Sequence, residues 1–130
     1  FTNGLYASCH PYFEEIANLQ VSAHLLIDRE GGVTQFVSFD DRAWHAGESC
    51  YESTSNCNDY SVGIELEGTD DTPYSDHQYD VLAAVTRSLL EHYPTMTERR
   101  IVGHSDIAPG RKTDPGSTFD WSRYFLATGV

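Results

Sequence analysis

The sequence predicts a mixed α/β domain. Three observations lead there: two alternating stretches at 21–28 and 33–39 separated by Gly31-Gly32, a strongly apolar strand at 60–66, and an amphipathic stretch opening at Ser75. The first pair predicts an antiparallel hairpin, because paired glycines supply the backbone freedom of a tight turn. In 21–28, Ala23, Leu25 and Ile27 share one face and His24 and Leu26 the other, the pattern of a strand covered on both sides. Before it, Pro11 followed by residues 12–19 reads as a short helix, since proline is tolerated at a helix start.

Residues 40–59 show little periodicity and read as a loop, of a length that is usually functional or disordered. Trp44, His45 and Gly47 lie inside it. An aromatic ring and an imidazole beside a glycine suit the wall of a small-molecule cleft, so Trp44 and His45 are candidate substrate-binding residues; an aromatic pinning the loop to the core is the alternative. In strand 60–66, Val62, Ile64 and Leu66 face one way, Gly63 and Glu65 the other. Ser75 and Gln78 form a capping-box pattern, Leu82, Val85, Leu89 and Tyr93 make an apolar stripe, and Pro94 ends the helix. His77 and His92, near its ends, read as solvated. Residues 101–102 are expected as a short strand, and 120–125 as a helical turn packed through Trp121 and Phe125.

Composition bounds the function. A chain of 130 residues that is 39% hydrophobic suits one domain, 1–130, with a single core. Its formal net charge of −12 argues against a nucleic-acid partner, which is bound mainly through Lys and Arg. No window reaches the ~18 apolar residues of a membrane span, and the first thirty residues lack the regions of a signal peptide. The expectation is a soluble chain with no membrane partner. The only methionine is Met96, so Phe1 is not a retained initiator and a trimmed or incompletely recorded amino terminus is expected. Cys9, Cys50 and Cys57 are an odd set, which favours a reducing cytoplasm and ordinary thiols over a disulfide or metal clip between Cys50 and Cys57.

The segment GHSDIAPGRKTDPG, residues 103–116, carries the chemistry. Pro109-Gly110 and Pro115-Gly116 make it a loop, and loops on a rigid scaffold carry many ligands and catalytic groups. His104 and Asp114 offer N and O donors across a turn, as a catalytic zinc with an open position requires. Lys112, two residues before Asp114, would face the same side of an extended segment and stabilise an oxyanion without binding the metal. A surface ion pair between Lys112 and Asp114, with His104 merely capping a strand, is the plainer alternative. Glu65 projects from an apolar strand, where burial is costly unless it serves a metal site, a water or a cation. As a general base its pKa would be raised by desolvation or lowered by zinc and lysine; the sequence leaves both open.

The stretches VSAHLLIDREGGVTQFVSFDDRAWHAG, CNDYSVGIELEGTD and GHSDIAPGRKTDPG closely resemble the zinc N-acetylmuramoyl-L-alanine amidases, over about residues 10–125. More narrowly they resemble the AmpD branch, the cytoplasmic 1,6-anhydro-N-acetylmuramyl-L-alanine amidases of cell-wall recycling. The resemblance implies a mixed central β-sheet flanked by helices, shared with peptidoglycan recognition proteins. It implies zinc as cofactor with His104 and Asp114 as ligands, Lys112 stabilising the oxyanion, Glu65 as acid/base and Tyr12 of HPYF as an active-site tyrosine. It implies a small anhydro-muropeptide as substrate, and a monomer is expected.

Two departures stand out. The family's third zinc ligand is a histidine ending an amino-terminal strand upstream of Phe1, so that strand is expected to be missing, and His24 or His45 would be the substitutes at hand. The branch often carries arginines at the positions of Gln20 and Asn56, where they meet a peptide carboxylate. A non-catalytic muropeptide-binding module and an exported amidase acting on intact wall are the competing expectations.

Overall fold

A computed structural model of the chain describes residues 1–4 and 22–130. The helix expected at 12–19, together with Tyr12, Cys9 and Gln20, lies outside them. A four-stranded sheet has the order β1-β6-β2-β3, built from β1 (Thr2–Gly4), β2 (Leu25–Ile27), β3 (Val33–Gln35) and β6 (Ile64–Glu67). Strand β6 runs parallel to both neighbours, pairing Thr2 with Glu65 on one side and Leu26 with Glu65 on the other. The sheet is therefore mixed, as expected, and the apolar strand is internal.

Several elements are shorter than the sequence suggests. Strand β2 keeps only Leu25–Ile27, all three buried, in line with a strand covered on both faces. The expected hairpin forms: Leu25 pairs with Gln35 and Ile27 with Val33. Its turn is held by Asp28, whose Oδ1 accepts from the backbone N–H of Glu30 at 2.9 Å and of Gly32 at 2.8 Å. Strand β3 stops at Gln35 and is exposed throughout, and beyond it Phe36 N–H donates to the His24 carbonyl at 2.9 Å, so the strand ends short of the alternation seen in the sequence out to Phe39. Strand β6 begins at Ile64 rather than residue 60, and β1 has no counterpart in the sequence reading.

The loop expected at 40–59 contains structure. A small hairpin pairs β4 (Cys50–Tyr51) with β5 (Thr54–Ser55), and a 3₁₀ turn follows at Cys57–Asp59. Its two-residue turn places Glu52 and Ser53 at φ 45° and 72°, the left-handed turn that matches strand twist, but without the usual Asn-Gly signal that would reveal it. Cys50 and Cys57 are free thiols.

Helix α1 (Asp76–His92) bears out its predicted cap: Gln78 N–H donates to Ser75 Oγ while Gln78 Oε1 accepts from Ser75 N–H. Leu82 and Leu89 enter the core with Ile27, Ile64, Leu66 and Tyr124, while Val85 and Tyr93 pack at its margin. His77 and His92 are exposed, as expected. Residues 101–102 are not a strand. The segment 103–116 is not all loop either, since α2 (His104–Ile107) is a single helical turn inside it. The last helix, α3 (Trp121–Thr128), is longer than the turn expected, capped by Asp120 Oδ1 and ended by Gly129 in the left-handed region. Trp121 and Phe125 pack against the core as expected, and Tyr124 beside them is fully buried. Phe1 closes this side of the core, its ring stacking on Trp121 at 5.7 Å and meeting Tyr124 edge-on.

Candidate active site

Helix α2 and the turn after it bring His104 and Asp114 together. The Gly103 N–H donates to Asp106 Oδ2 at 2.8 Å, so Asp106 caps the helix. Ser105 N–H, in the first turn, donates to the Asp114 carbonyl at 2.9 Å, which folds the chain back onto α2. As a result His104 Nδ1 lies 3.2 Å from Asp114 Oδ2, with both side chains largely buried. Outside this turn, Thr113 Oγ1 donates to Asp70 Oδ2 and Tyr74 Oη donates to the Pro115 carbonyl, tying the Asp114 segment to the loop before α1.

The other face of His104 decides its tautomer. Nε2 lies 2.9 Å from the carbonyl of Ala46, which can only accept, so Nε2 carries the proton. In the neutral ring the Nδ1 lone pair then faces the Asp114 carboxylate. Two electron-rich atoms at 3.2 Å require a proton or a cation between them. For ligand bonds of ~2.1 Å, donors so spaced subtend ~100° at a shared ion, close to the tetrahedral geometry zinc prefers. The donor chemistry fits two of a zinc ion's ligands. Among the described residues no group of three His, Cys, Asp or Glu side chains is placed to hold a metal.

The two substitutes considered for a third ligand behave differently. His24 is buried with both nitrogens engaged: Nδ1 accepts from Gly63 N–H at 3.0 Å, and Nε2 donates to the Asp41 carbonyl at 2.8 Å. It has no lone pair left for a metal. His45 approaches Ser61, whose hydroxyl donates to the Cys57 carbonyl at 2.6 Å and so accepts from His45 Nε2 at 3.3 Å. Burial, followed by the nearby His24, the α-amino group and His104, pushes the His45 pKa down to about 4, against hydrogen bonding at Ser61. His45 is neutral at pH 7.

Glu65 is 8% exposed on β6, on the face opposite Ile64 and Leu66, as its alternation predicts. The Phe1 nitrogen, which donates to the Val102 carbonyl at 2.6 Å, feels the negative charges of Asp114, Glu65 and Asp106. Two predicted site carboxylates, from β6 and from the turn after α2, thus direct negative potential at one point. Lys112 is exposed, its backbone N–H donating to the Ala108 carbonyl. Trp44 is half exposed with the Arg42 guanidinium 3.9 Å over its ring, and Arg42 also pairs with Asp59 at 2.9 Å. A cavity of about 750 Å³ reaches His45, His104, Asn58 and Gly63, but Glu65, Lys112, Asp114 and Trp44 do not form its wall.

The sequence reading missed Asn58 and Arg111. Asn58 Oδ1 accepts from the N–H groups of His45 and Ala46, and Arg111 donates to the carbonyls of Ala46 and Glu48. Both act on backbone, which leaves no signature in residue type or spacing.

The family model for N-acetylmuramoyl-L-alanine amidase matches residues 1–117, a span that includes His104, Asp114 and Glu65. The chain belongs to the N-acetylmuramoyl-L-alanine amidase family. Among the relatives of this chain, the 1,6-anhydro-N-acetylmuramyl-L-alanine amidase AmpD of Enterobacter cloacae is 58% identical over 124 residues, covering 95% of this chain and 66% of its own length. The AmpD of Escherichia coli K12 is 56% identical, covering 95% and 67%. The chain thus spans about two thirds of the length of the curated relatives it matches. A crystal structure of AmpD in selenomethionine form superposes with a TM-score of 0.84 at 55% identity, covering 92% of this chain and 66% of that one. AmpDh3 of Pseudomonas aeruginosa, in complex with anhydromuramic pentapeptide, superposes at 0.81 with 32% identity, covering 99% and 59%. None of the helices among the described residues is long and apolar enough to cross a membrane.

Proposed function

We propose that the protein is a zinc amidase of peptidoglycan recycling, hydrolysing the lactyl–L-alanine amide of 1,6-anhydro-N-acetylmuramyl peptides in the cytoplasm. The observation that carries this reading is the meeting of His104 Nδ1 and Asp114 Oδ2 at 3.2 Å, with Nε2 already committed to a carbonyl. Identity above 50% to relatives named for this activity, and the likeness to a structure holding an anhydromuramic pentapeptide, support the substrate class.

His104 and Asp114 would hold the zinc, with a third donor from outside the described residues. Zinc so held supplies Lewis acidity and lowers the pKa of a water toward ~7. Glu65 takes the proton from the attacking water and delivers it to the nitrogen of the departing L-alanine, as one carboxylate can do in both directions. The Lys112 ammonium, free of a metal-ligating role, offsets charge developing on the carbonyl oxygen. Tyr12 is carried as an active-site residue by the HPYF motif alone. Trp44 offers an exposed ring face and His45 a neutral imidazole for the substrate. One catalytic domain spanning 1–130 and acting as a monomer completes the proposal.

The test is mass spectrometry of 1,6-anhydro-N-acetylmuramyl-tripeptide incubated with the protein, with zinc and with chelator. Zinc-dependent release of anhydro-sugar and free peptide is expected, with intact sacculi spared. Uncleaved but bound substrate would replace the amidase with a binding module, and efficient release from sacculi would replace the recycling role with a wall-directed one.

A further inference from the structure

The Ala46 carbonyl accepts two hydrogen bonds: one from His104 Nε2 at 2.9 Å and one from Arg111 Nη2 at 2.7 Å. The same Arg111 nitrogen donates to the Glu48 carbonyl at 2.7 Å, so the guanidinium bridges the carbonyls of the two residues on either side of Gly47. Gly47 sits at φ +62°, and a Cβ there would meet Arg111 Nη2 at 3.0 Å. The loop therefore needs glycine both for its backbone and for the approach of the arginine. On the other side, the Ala46 N–H donates to Asn58 Oδ1 at 2.9 Å, and Ala46 is fully buried. The carbonyl that fixes His104 is thus held by a side chain at each end of its residue.

His104 has two ways to place a single proton. On Nδ1 it would face the Asp114 carboxylate at 3.2 Å, a charge-assisted bond and the stronger of the two in isolation. On Nε2 it faces a neutral carbonyl. Only the second leaves Nδ1 able to donate to a metal. The balance depends on that carbonyl staying where His104 can reach it, and a loop turning through a left-handed glycine does not ensure this by itself. A carbonyl oxygen has two lone pairs, so Arg111 can fix it without displacing the imidazole.

We propose that Arg111 is a positioning residue for the metal ligand His104, acting through the Ala46 carbonyl to keep the imidazole proton on Nε2 and the Nδ1 lone pair free. The inference rests on the reading of His104 and Asp114 as zinc ligands, but its first readout needs no metal. Long-range ¹H–¹⁵N correlation spectra of the metal-free protein report the tautomer directly. The wild type should show His104 protonated at Nε2. Arg111→Ala should move the population toward the Nδ1–H form and weaken zinc binding, measured by chelator competition, by ~10- to 100-fold, the range seen when outer-shell partners of a metal-bound histidine are removed. Arg111→Lys, which can still reach a carbonyl, should recover part of both.

A wild-type His104 whose Nε2 carries no proton would overturn the proposal whatever the variants do. So would an Arg111→Ala protein with wild-type tautomer and wild-type zinc affinity. Should Arg111→Ala not fold, Arg111→Met, which keeps the length of the side chain but no donor for the Ala46 carbonyl, takes its place, and an unchanged tautomer and affinity there would overturn the role. Failure of the wild type to bind zinc would remove the zinc-amidase reading while the tautomer comparison still decided the role of Arg111.

Discussion

His45 lies so close to Gly63 that a Cβ added to the glycine would stand 2.3 Å from the ring Cγ. The contact joins the loop that carries Trp44 to the residue just before β6. It also faces His24, whose ring centroid is 5.9 Å from that of His45 and whose Nδ1 accepts from Gly63 N–H. Gly63→Ala must displace an imidazole or shift the entry to β6. The expected cost is ~1–3 kcal/mol, as for other overpacked sites, read from urea unfolding. Unchanged stability would mean the ring moves freely.

The depressed pKa of His45 makes stability depend on pH. Folded, the imidazole takes up its proton only near pH 4, whereas unfolded it does so near 6.5. Between these values the unfolded chain binds more protons, so stability falls as pH drops from about 6.5 to about 4 and levels off below. The size is on the order of 3 kcal/mol. Unfolding midpoints across this window should fall less in His45→Asn than in the wild type, and parallel curves would show that His45 is not responsible.

Lys112→Ala should retain zinc and lose turnover by ~10²–10³-fold, the cost of removing one oxyanion donor. Its side chain is exposed, and among the described residues its hydrogen bond is the backbone one to the Ala108 carbonyl, so the fold should be indifferent to the change. Parallel loss of zinc and activity would assign Lys112 to the metal site instead. Glu65→Gln should likewise keep zinc but lose the proton transfer, visible as a collapse of kcat with KM little changed.

Tyr124 tests the core. Its hydroxyl, with a pKa pushed up to about 12 by burial, donates to Thr86 Oγ1 at 2.6 Å, while Thr86 donates onward to the Leu82 carbonyl at 2.8 Å. Tyr124→Phe leaves the threonine oxygen without its buried donor. A loss of ~1–2 kcal/mol is expected in thermal or urea unfolding, with the substrate assay unaffected.

Where local chemistry dictates structure, the sequence is a good guide. Ser75 and Gln78 announce the start of α1 because capping is a matter of residues three apart, and Gly31-Gly32 announces the hairpin turn because the turn's backbone freedom is local too. Strand limits were less legible. Residues 36–39 and 60–63 alternate well enough to be strands, yet the ladders stop at Gln35 and start at Ile64, with Phe36 and Gly63 bonding on to the backbone of β2 and His24, and pairing is a property of the neighbour. The β4–β5 hairpin was hidden because Glu52 and Ser53 occupy positive-φ positions that glycine or asparagine usually marks.

By itself the sequence determined the chemical inventory: a histidine, a lysine and an aspartate within 103–116, a glutamate on an apolar strand, and the family to which that pattern belongs. Only the tertiary structure decided what those groups can do. It brought Asp114 back to the first turn of α2, set the Ala46 carbonyl against His104 Nε2, and used up both nitrogens of His24 on Gly63 and Asp41. Which lone pair of an imidazole is free depends on backbone groups tens of residues away, and a backbone carbonyl is the same in every residue type.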